Sequence, residues 1–231
     1  MIKMIGTIVN IASVLTGSTV GVIFRGKFPE KVQTTVIHGI SLAVILIGMQ
    51  MAFSIEKDPD ILLVIFSLVI GAVIGELLQL EKRLNDFGES LKEKVGGKDD
   101  LFVQGFVQAS LIYCVGAMAI MGSIQDGLNN DPSILFTKSL LDGITSIAFA
   151  ASTGIGVAFS AIPILLYQGS ITLAAEWAAV YLTDDMIRIM TASGGLLITA
   201  IGLNMLGVSK IKTGNLLPAL LVALILSSFV F

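Results

Sequence analysis

Long apolar runs separated by short polar stretches cover almost the whole chain. They fall at 4–24, 33–55, 61–80, 101–124, 134–159, 161–182, 187–207 and 214–231. Each is close to the ~20 residues that a helix needs to cross a hydrocarbon core. The pattern predicts an all-α, polytopic transmembrane helical bundle of about eight spans. The fifth and sixth runs are nearly continuous through SAIPILLYQGS, where Pro163 removes a backbone donor and disfavours helix at Ile162. They read as two spans, or as one span and a re-entrant segment. The main polar stretch, 81–98, has charges around Leu80, Leu84, Phe87, Leu91 and Val95, which recur at helical spacing. It reads as an amphipathic helix and loop lying on the inner membrane face or against its own protein. Residues 1–231 are accordingly expected to form a single integral membrane domain.

Composition strengthens this reading. Of the 231 residues 55% are hydrophobic and 13% charged, with a mean hydropathy of +0.91, whereas soluble domains carry about 25% charged residues. The net charge of −3 offers no concentrated basic surface for nucleic acid. Cys114 is the single cysteine, so neither an intrachain disulfide nor a thiolate metal cluster can form. The first run lacks a small-residue cleavage site and reads as a retained span.

The distribution of charge adds an orientation. Loops after the first, third and seventh runs hold Arg25, Lys27 and Lys31, then Lys82, Arg83, Lys92, Lys94 and Lys98, then Lys210 and Lys212, which is ten of the fourteen Lys and Arg. The intervening loops carry Glu56, Asp58 and Asp60, then Asp131, then Asp184 and Asp185, with Lys57 and Arg188 as basic exceptions. By the positive-inside rule the basic loops face the cytoplasm and both termini lie outside.

Two stretches resemble each other. Lys31–Met51 aligns with Asp185–Met205 at an offset of 154, placing Gly48 on Gly202, Gln50 on Asn204 and Met51 on Met205. Leu15–Ser18 aligns with Tyr167–Ser170 after a two-residue shift. Spans 1–3 would then correspond to spans 6–8, and a displacement of five spans inverts their direction, as in the inverted repeats of secondary transporters.

Candidate chemistry concentrates in Gly122–Gly143, where Gln125, Asp126, Lys138, Ser139 and Asp142 stand in otherwise apolar surroundings. An ionisable group at bilayer depth costs about 2.5–3.5 kcal/mol and marks a functional site by default. Lys138 and Asp142 are four residues apart and can pair on one helix face. That face continues through Ser146, Thr153, Gly156 and Ser160, interrupted by Phe149. Such a pair either fixes helix register or is opened by a proton or solute during transport. Asp126 in SIQDG either ends its span at the outer surface, with Gly127 as the cap, or belongs to a half-helix entering the membrane. Asn10, on the small-residue face Gly6, Asn10, Ser13, Gly17 and Gly21, is a ligand or an interhelical hydrogen bonder. Gln168 adds an amide beside the second break. Small-residue faces suit a homodimer as well as internal packing. His38 reads as a packing histidine, and Glu176 and Trp177 as interfacial residues.

No Walker A loop, GxGxxG or HExxH is present, and one histidine cannot build a multi-histidine metal site. No enzyme, cofactor or metal is expected. The blocks GAMAIMGSIQDGL, KSLLDGITSIAFAASTGIGVAFSA and PILLYQGSITLAA, with GTIVNIASVLTGSTVG near the start, resemble the YqgA/YdfK-like family of uncharacterised bacterial membrane proteins over essentially the whole chain. The resemblance implies a polytopic protein of the bacterial cytoplasmic membrane with a transport role and no assigned substrate. It also implies that Gln125, Asp126, Lys138, Ser139 and Asp142 form a characteristic set. The expected function is an ion- or proton-coupled carrier for a small solute or ion around Asp142, with a channel or a non-transporting structural or signalling protein as alternatives.

Overall fold

In the computed structural model, residues 4–25, 27, 30–56, 58–95 and 99–230 are described. Lys57 and Lys98, two of the charges counted above, lie outside them. All regular structure among the described residues is helical: α1 Ile5–Phe24, α2 Glu30–Ala52, α3 Asp58–Leu78, α4 Leu80–Lys94, α5 Phe102–Cys114, α6 Ala117–Asn129, α7 Ser133–Thr153, α8 Ala161–Leu173, α9 Ala175–Tyr181, α10 Asp184–Met205 and α11 Pro218–Ser227. Short 3₁₀ segments, Ile155–Ser160 and Thr213–Leu216, precede α8 and α11.

Six described helical segments are long and apolar enough to cross a membrane, and the α5–α6 pair, bent by 60°, makes up to seven. The last apolar run folds as a shorter apolar helical segment, Thr213–Ser227, so length and composition account for six or seven of the eight expected spans. The breaks also fall elsewhere than expected. SIQDG lies inside α6, which ends at Asn130 in the left-handed conformation rather than at Gly127, and the interruption is at Gly116, with φ 137°. Pro163 sits in the first turn of α8, where its missing N–H removes no helix bond. The second break precedes it at Gly154, whose φ of 85° suits glycine.

Two compact units can be distinguished, Met1–Ile37 with Phe87–Tyr181, and His38–Asp86 with Leu182–Phe231. In the first unit α1 and α7 run parallel: Gly6 faces Leu135, Gly17 the Gly143 carbonyl, and Gly21 Ile147 and Ala150. The end of α1 meets the Gly154 break, where Arg25 pairs with Asp99 through both terminal guanidinium nitrogens. Asp99 also accepts from the Leu101 N–H at the start of α5. Burial pushes the Asp99 carboxyl up, but Arg25 and the Leu101 N–H outweigh it and hold it below its ordinary value.

In the second unit α2 and α10 run antiparallel. Gly48 lies on Gly195 and Thr199, and Gly202 lies on Ser41 and Ile45. The antiparallel pair α3 and α11 closes through Gly71 on Ala219, with Gly75 on the Asn215 carbonyl just before α11. Charges fix both ends of α3. Asp60, fully buried, accepts from Arg188 Nε at 3.1 Å and from the Glu56 N–H at 2.9 Å, and Asp185 pairs with the same arginine. At the other end Glu76 accepts from Lys212 at 2.7 Å and Asn215 at 2.6 Å.

The amphipathic helix is α4, and it lies against its own protein. In the first unit Phe87 stacks at 5.9 Å on Phe106 and Gly88 faces Val103. In the second, Leu84 faces Gly214, and the Glu81 carboxylate accepts the Gly214 N–H at 2.5 Å.

Two outcomes follow. Gly17→Ala and Gly75→Ala, each placing a methyl on a backbone carbonyl, should lower the thermal unfolding temperature of the detergent-solubilised protein. Gly39→Ala, which meets nothing within 4 Å, should hold or raise it by the alanine helix preference of up to about 1 kcal/mol. Because the Asp99 carboxyl is held down in the fold, its contribution is present above the unfolded value, near pH 4, and is lost as pH falls through the folded value. Asp99→Asn should therefore cost about 1 kcal/mol or less at pH 7, and the gap from wild type should close on acidification.

Candidate functional site

The first unit gathers most of the buried polar side chains singled out above. Asp142 is the tenth of the 21 residues of α7, and Lys138 lies one turn before it. Both are buried, at 7% and 6% exposure, and Lys138 Nζ donates to Asp142 Oδ2 at 2.5 Å. The close α1–α7 approach brings in Asn10, whose Nδ2 donates to the same carboxylate oxygen at 3.0 Å. The ammonium also lies 5.9 Å from the centre of the Tyr113 ring, a cation–π arrangement. Tyr113 is fully buried on α5, and its hydroxyl oxygen accepts from Ser146 at 2.9 Å.

Four residues of the sequence-derived set, Ser139, Gln125, Asp126 and Gln168, do not join this group directly. Ser139 is buried but donates to the Leu135 carbonyl of its own helix at 2.6 Å. Gln125 turns to the loop after α6, where its Nε2 donates to Asp131 at 2.5 Å. The Ser133 hydroxyl and N–H, with Gln125, hold the Asp131 carboxyl below its ordinary value. Asp126 accepts the Gly6 N–H at 3.0 Å, so it satisfies one of the open backbone donors at the start of α1. The two aspartates thus bind α1 at Gly6 and Asn10, about one turn apart, each with its own partner. Phe149, at 1% exposure, fills the core.

Gln168 behaves differently. It is fully buried on α8, and neither its amide oxygen nor its nitrogen has a hydrogen-bond partner. Asn10 Oδ1 and the hydroxyls of Thr7, Ser123 and Thr172 are likewise buried and unbonded. Sequence reading missed Thr7, Ser123, Thr172 and Tyr113. Helical spacing was the available signal for three of them: Thr7 is one turn from Asn10, Ser123 from Asp126, and Thr172 from Gln168. Tyr113 carried a different one, since a buried phenol requires a partner. The buried Asp60–Arg188 pair of the second unit was also missed, having been read as loop charge.

The described residues contain no group of three or more His, Cys, Asp and Glu side chains arranged to hold a metal ion. Cys114 is a free, partly buried thiol. Beside the site, α1 and α7 border an open groove of about 390 Å³, lined by Val9, Ala12, Leu140, Ile144 and other mostly apolar residues. That lining suits hydrocarbon rather than a polar solute.

Comparison with known proteins agrees with this architecture. The family model described as "Protein of unknown function (DUF554)" matches residues 5–228. The chain is 34% identical over 220 residues to the "Uncharacterized membrane protein YdfK" of Bacillus subtilis, covering 95% of this chain and 93% of the relative. It is 33% identical over 232 residues to the "Uncharacterized protein YqgA" of Escherichia coli, covering 97% and 96%. No solved structure matches. A match along nearly the whole length, onto a helical chain with several membrane-length apolar segments, establishes that the protein is a membrane protein belonging to the DUF554 family.

Proposed function

We propose that the protein is a secondary carrier for a small solute or ion, ion- or proton-coupled, in the bacterial cytoplasmic membrane, with Lys138, Asp142 and Asn10 at the centre of its pathway. The observation that carries this reading is a buried ion pair midway along a membrane-length helix and held by a second helix. An ion pair that served packing alone could be replaced by well-fitted apolar side chains at little cost. A carrier has a use for charges that can be parted, because a proton or ligand competing for Asp142 would release Lys138 and alter the α1–α7 contact.

The broken backbone at Gly116 and Gly154 supports the reading, since interrupted helices are tolerated at membrane depth where protein or a polar cavity surrounds them. So does the internal resemblance. At the offset of 154, Gly48 corresponds to Gly202, and the partners of Gly48, Gly195 and Thr199, correspond to the partners of Gly202, Ser41 and Ile45. α2 and α10 therefore meet through equivalent residues and in opposite directions, as an inverted repeat requires. The first helix of each similar stretch, α1 or α8, belongs to one unit, while most of α2 with α3, and α10 with α11, belong to the other. A homodimer and outward-facing termini complete the proposal. Reporters fused at either end should be active only in their exported form, and a cytoplasmically active fusion would overturn the orientation.

In proteoliposomes, the carrier reading expects saturable, gradient-driven solute flux that falls at least tenfold in Asp142→Asn. Electrodiffusive current would assign a channel instead, and unchanged flux in that variant would remove Asp142 from the pathway. A stability cycle separates structural from functional roles. Lys138→Met or Asp142→Leu alone leaves an unpaired buried charge and should cost about 3–5 kcal/mol, whereas the double variant should recover most of the stability. It should still fail to transport. A double variant that is stable and transports normally would make the pair a structural lock.

A further inference from the structure

We infer that α1, α6 and α8 form a binding site for a dehydrated monovalent cation of the alkali-metal class, next to the Lys138–Asp142 pair but distinct from it. The inference rests on the carrier reading only for its role, as the coupling-ion site, and not for its existence.

Three direct contacts bring these helices together. The Gly6 N–H of α1 donates to Asp126 of α6, Gly127 of α6 abuts the Thr172 carbonyl of α8, and Gly169 of α8 faces the Met4 methyl just before α1. Each pair of helices is therefore in contact near one end of α1. Around those contacts lie five buried side chains with unbonded oxygens: Thr7, Asn10, Ser123, Gln168 and Thr172. Each is within about one helical turn, or ~5.4 Å of rise, of a contact residue. All five are at most 1% exposed.

Such a concentration is unusual, because buried polar groups are ordinarily paired. Several buried hydroxyls elsewhere turn back to their own helices, Ser67 to the Leu63 carbonyl, Ser139 to Leu135, Thr153 to Phe149 and Ser227 to Ala223, while Ser18 on α1 and Thr191 and Ser193 on α10 are unbonded without such a gathering of helices around them. Ser123 and Thr172 make no such bond.

The atoms specify the ligand. Five open oxygens stand against one open nitrogen, that of the same Gln168 amide, so the set is rich in acceptors. Neutral oxygens predominate, while the nearby carboxylates are engaged, Asp126 with the Gly6 N–H and Asp142 with Lys138 and Asn10. Divalent cations favour sites with more free carboxylate. Gln168 and Thr172 lie in the C-terminal half of α8 and Ser123 at the middle of α6, helices whose carbonyl ends favour positive charge, while Thr7 and Asn10 come from the first turns of α1. The opposing N-terminus of α1 is offset by Asp126.

The test uses the full-length protein purified in detergent, with ²²Na⁺ equilibrium binding at constant ionic strength set by choline, and K⁺ as competitor. Saturable Na⁺ binding that weakens at least tenfold in Gln168→Leu and in Thr172→Val supports the site. Ser18→Ala, which removes an unbonded buried hydroxyl elsewhere on α1, serves as the control and should bind as wild type. Unfolding temperature in choline identifies any variant that has not folded, and Thr172→Val stands in if Gln168→Leu fails. Absence of saturable Na⁺ or K⁺ binding would overturn the inference and leave the open atoms to water. Equal loss in Ser18→Ala, or unchanged binding in the folded site variants, would also overturn it. Solute flux that is indifferent to Na⁺ and K⁺ would remove the coupling role while leaving the carrier reading intact, whereas cation binding without solute flux would do the reverse.

Discussion

The approach of α1 to α7 at Gly17 and Gly143 is so close that a single methyl on Gly17 would run into the opposing carbonyl. In hydrocarbon there is little hydrophobic drive to bring helices together, so association depends on close packing and on polar groups finding each other. Glycines provide the first condition and thereby permit the second. With the axes this near, the short Asn10 side chain reaches Asp142, and the Gly6 N–H reaches Asp126 of α6. The polar core of the first unit follows from that spacing. A wider separation would leave Asp142 with Lys138 alone and Asn10 with no bond at all.

Much of this architecture could be read from the chain. The apolar runs place both ends of α1, α2, α3 and α10 within three residues, because twenty-residue spans are set by bilayer thickness and carry a strong signal. The pairing of Lys138 with Asp142 was legible from i,i+4 spacing alone, as was the small-residue face of α1. The breaks were not. Pro163 and SIQDG drew attention because proline and polar residues are the usual interrupters, but proline in a first helical turn interrupts nothing. The chain breaks at Gly116 and Gly154 because positive φ is open to glycine, and a chain with 24 glycines hides those two among many that serve packing. The last apolar run, 214–231, reads as one continuous helix, whereas its first residues belong to a 3₁₀ turn, Thr213–Leu216, tied to Glu76 and Glu81. That tie connects residues more than 130 positions apart and leaves no local trace.

The partners of the site residues were equally hidden. Gln125 and Asp126 are adjacent, yet one caps the turn at Asp131 and the other the start of α1, because successive residues on a helix point about 100° apart. Their family resemblance could mark them as characteristic without distinguishing two roles. Lone hydroxyls such as Ser123 and Thr172 are too common in membrane helices to be noticed singly. Their significance comes from burial without a bond, a property of the folded arrangement.

The ion pair and the open oxygens pose different physical problems. Lys138, Asp142 and Asn10 satisfy one another, so this group resists change: parting them exposes charge in a poorly solvating interior. The oxygens around Gln168 are unsatisfied, so that group gains from any occupant able to replace water around itself. Asn10 belongs to both, with its nitrogen on Asp142 and its oxygen unbonded. A ligand drawing the Asn10 oxygen would pull on the same amide that holds Asp142, and would thereby link occupancy on one side of α1 to the closed pair on the other. For the two groups to act on one another, that link must be rigid. The amide plane of Asn10 provides the rigidity, since its oxygen and nitrogen cannot turn independently.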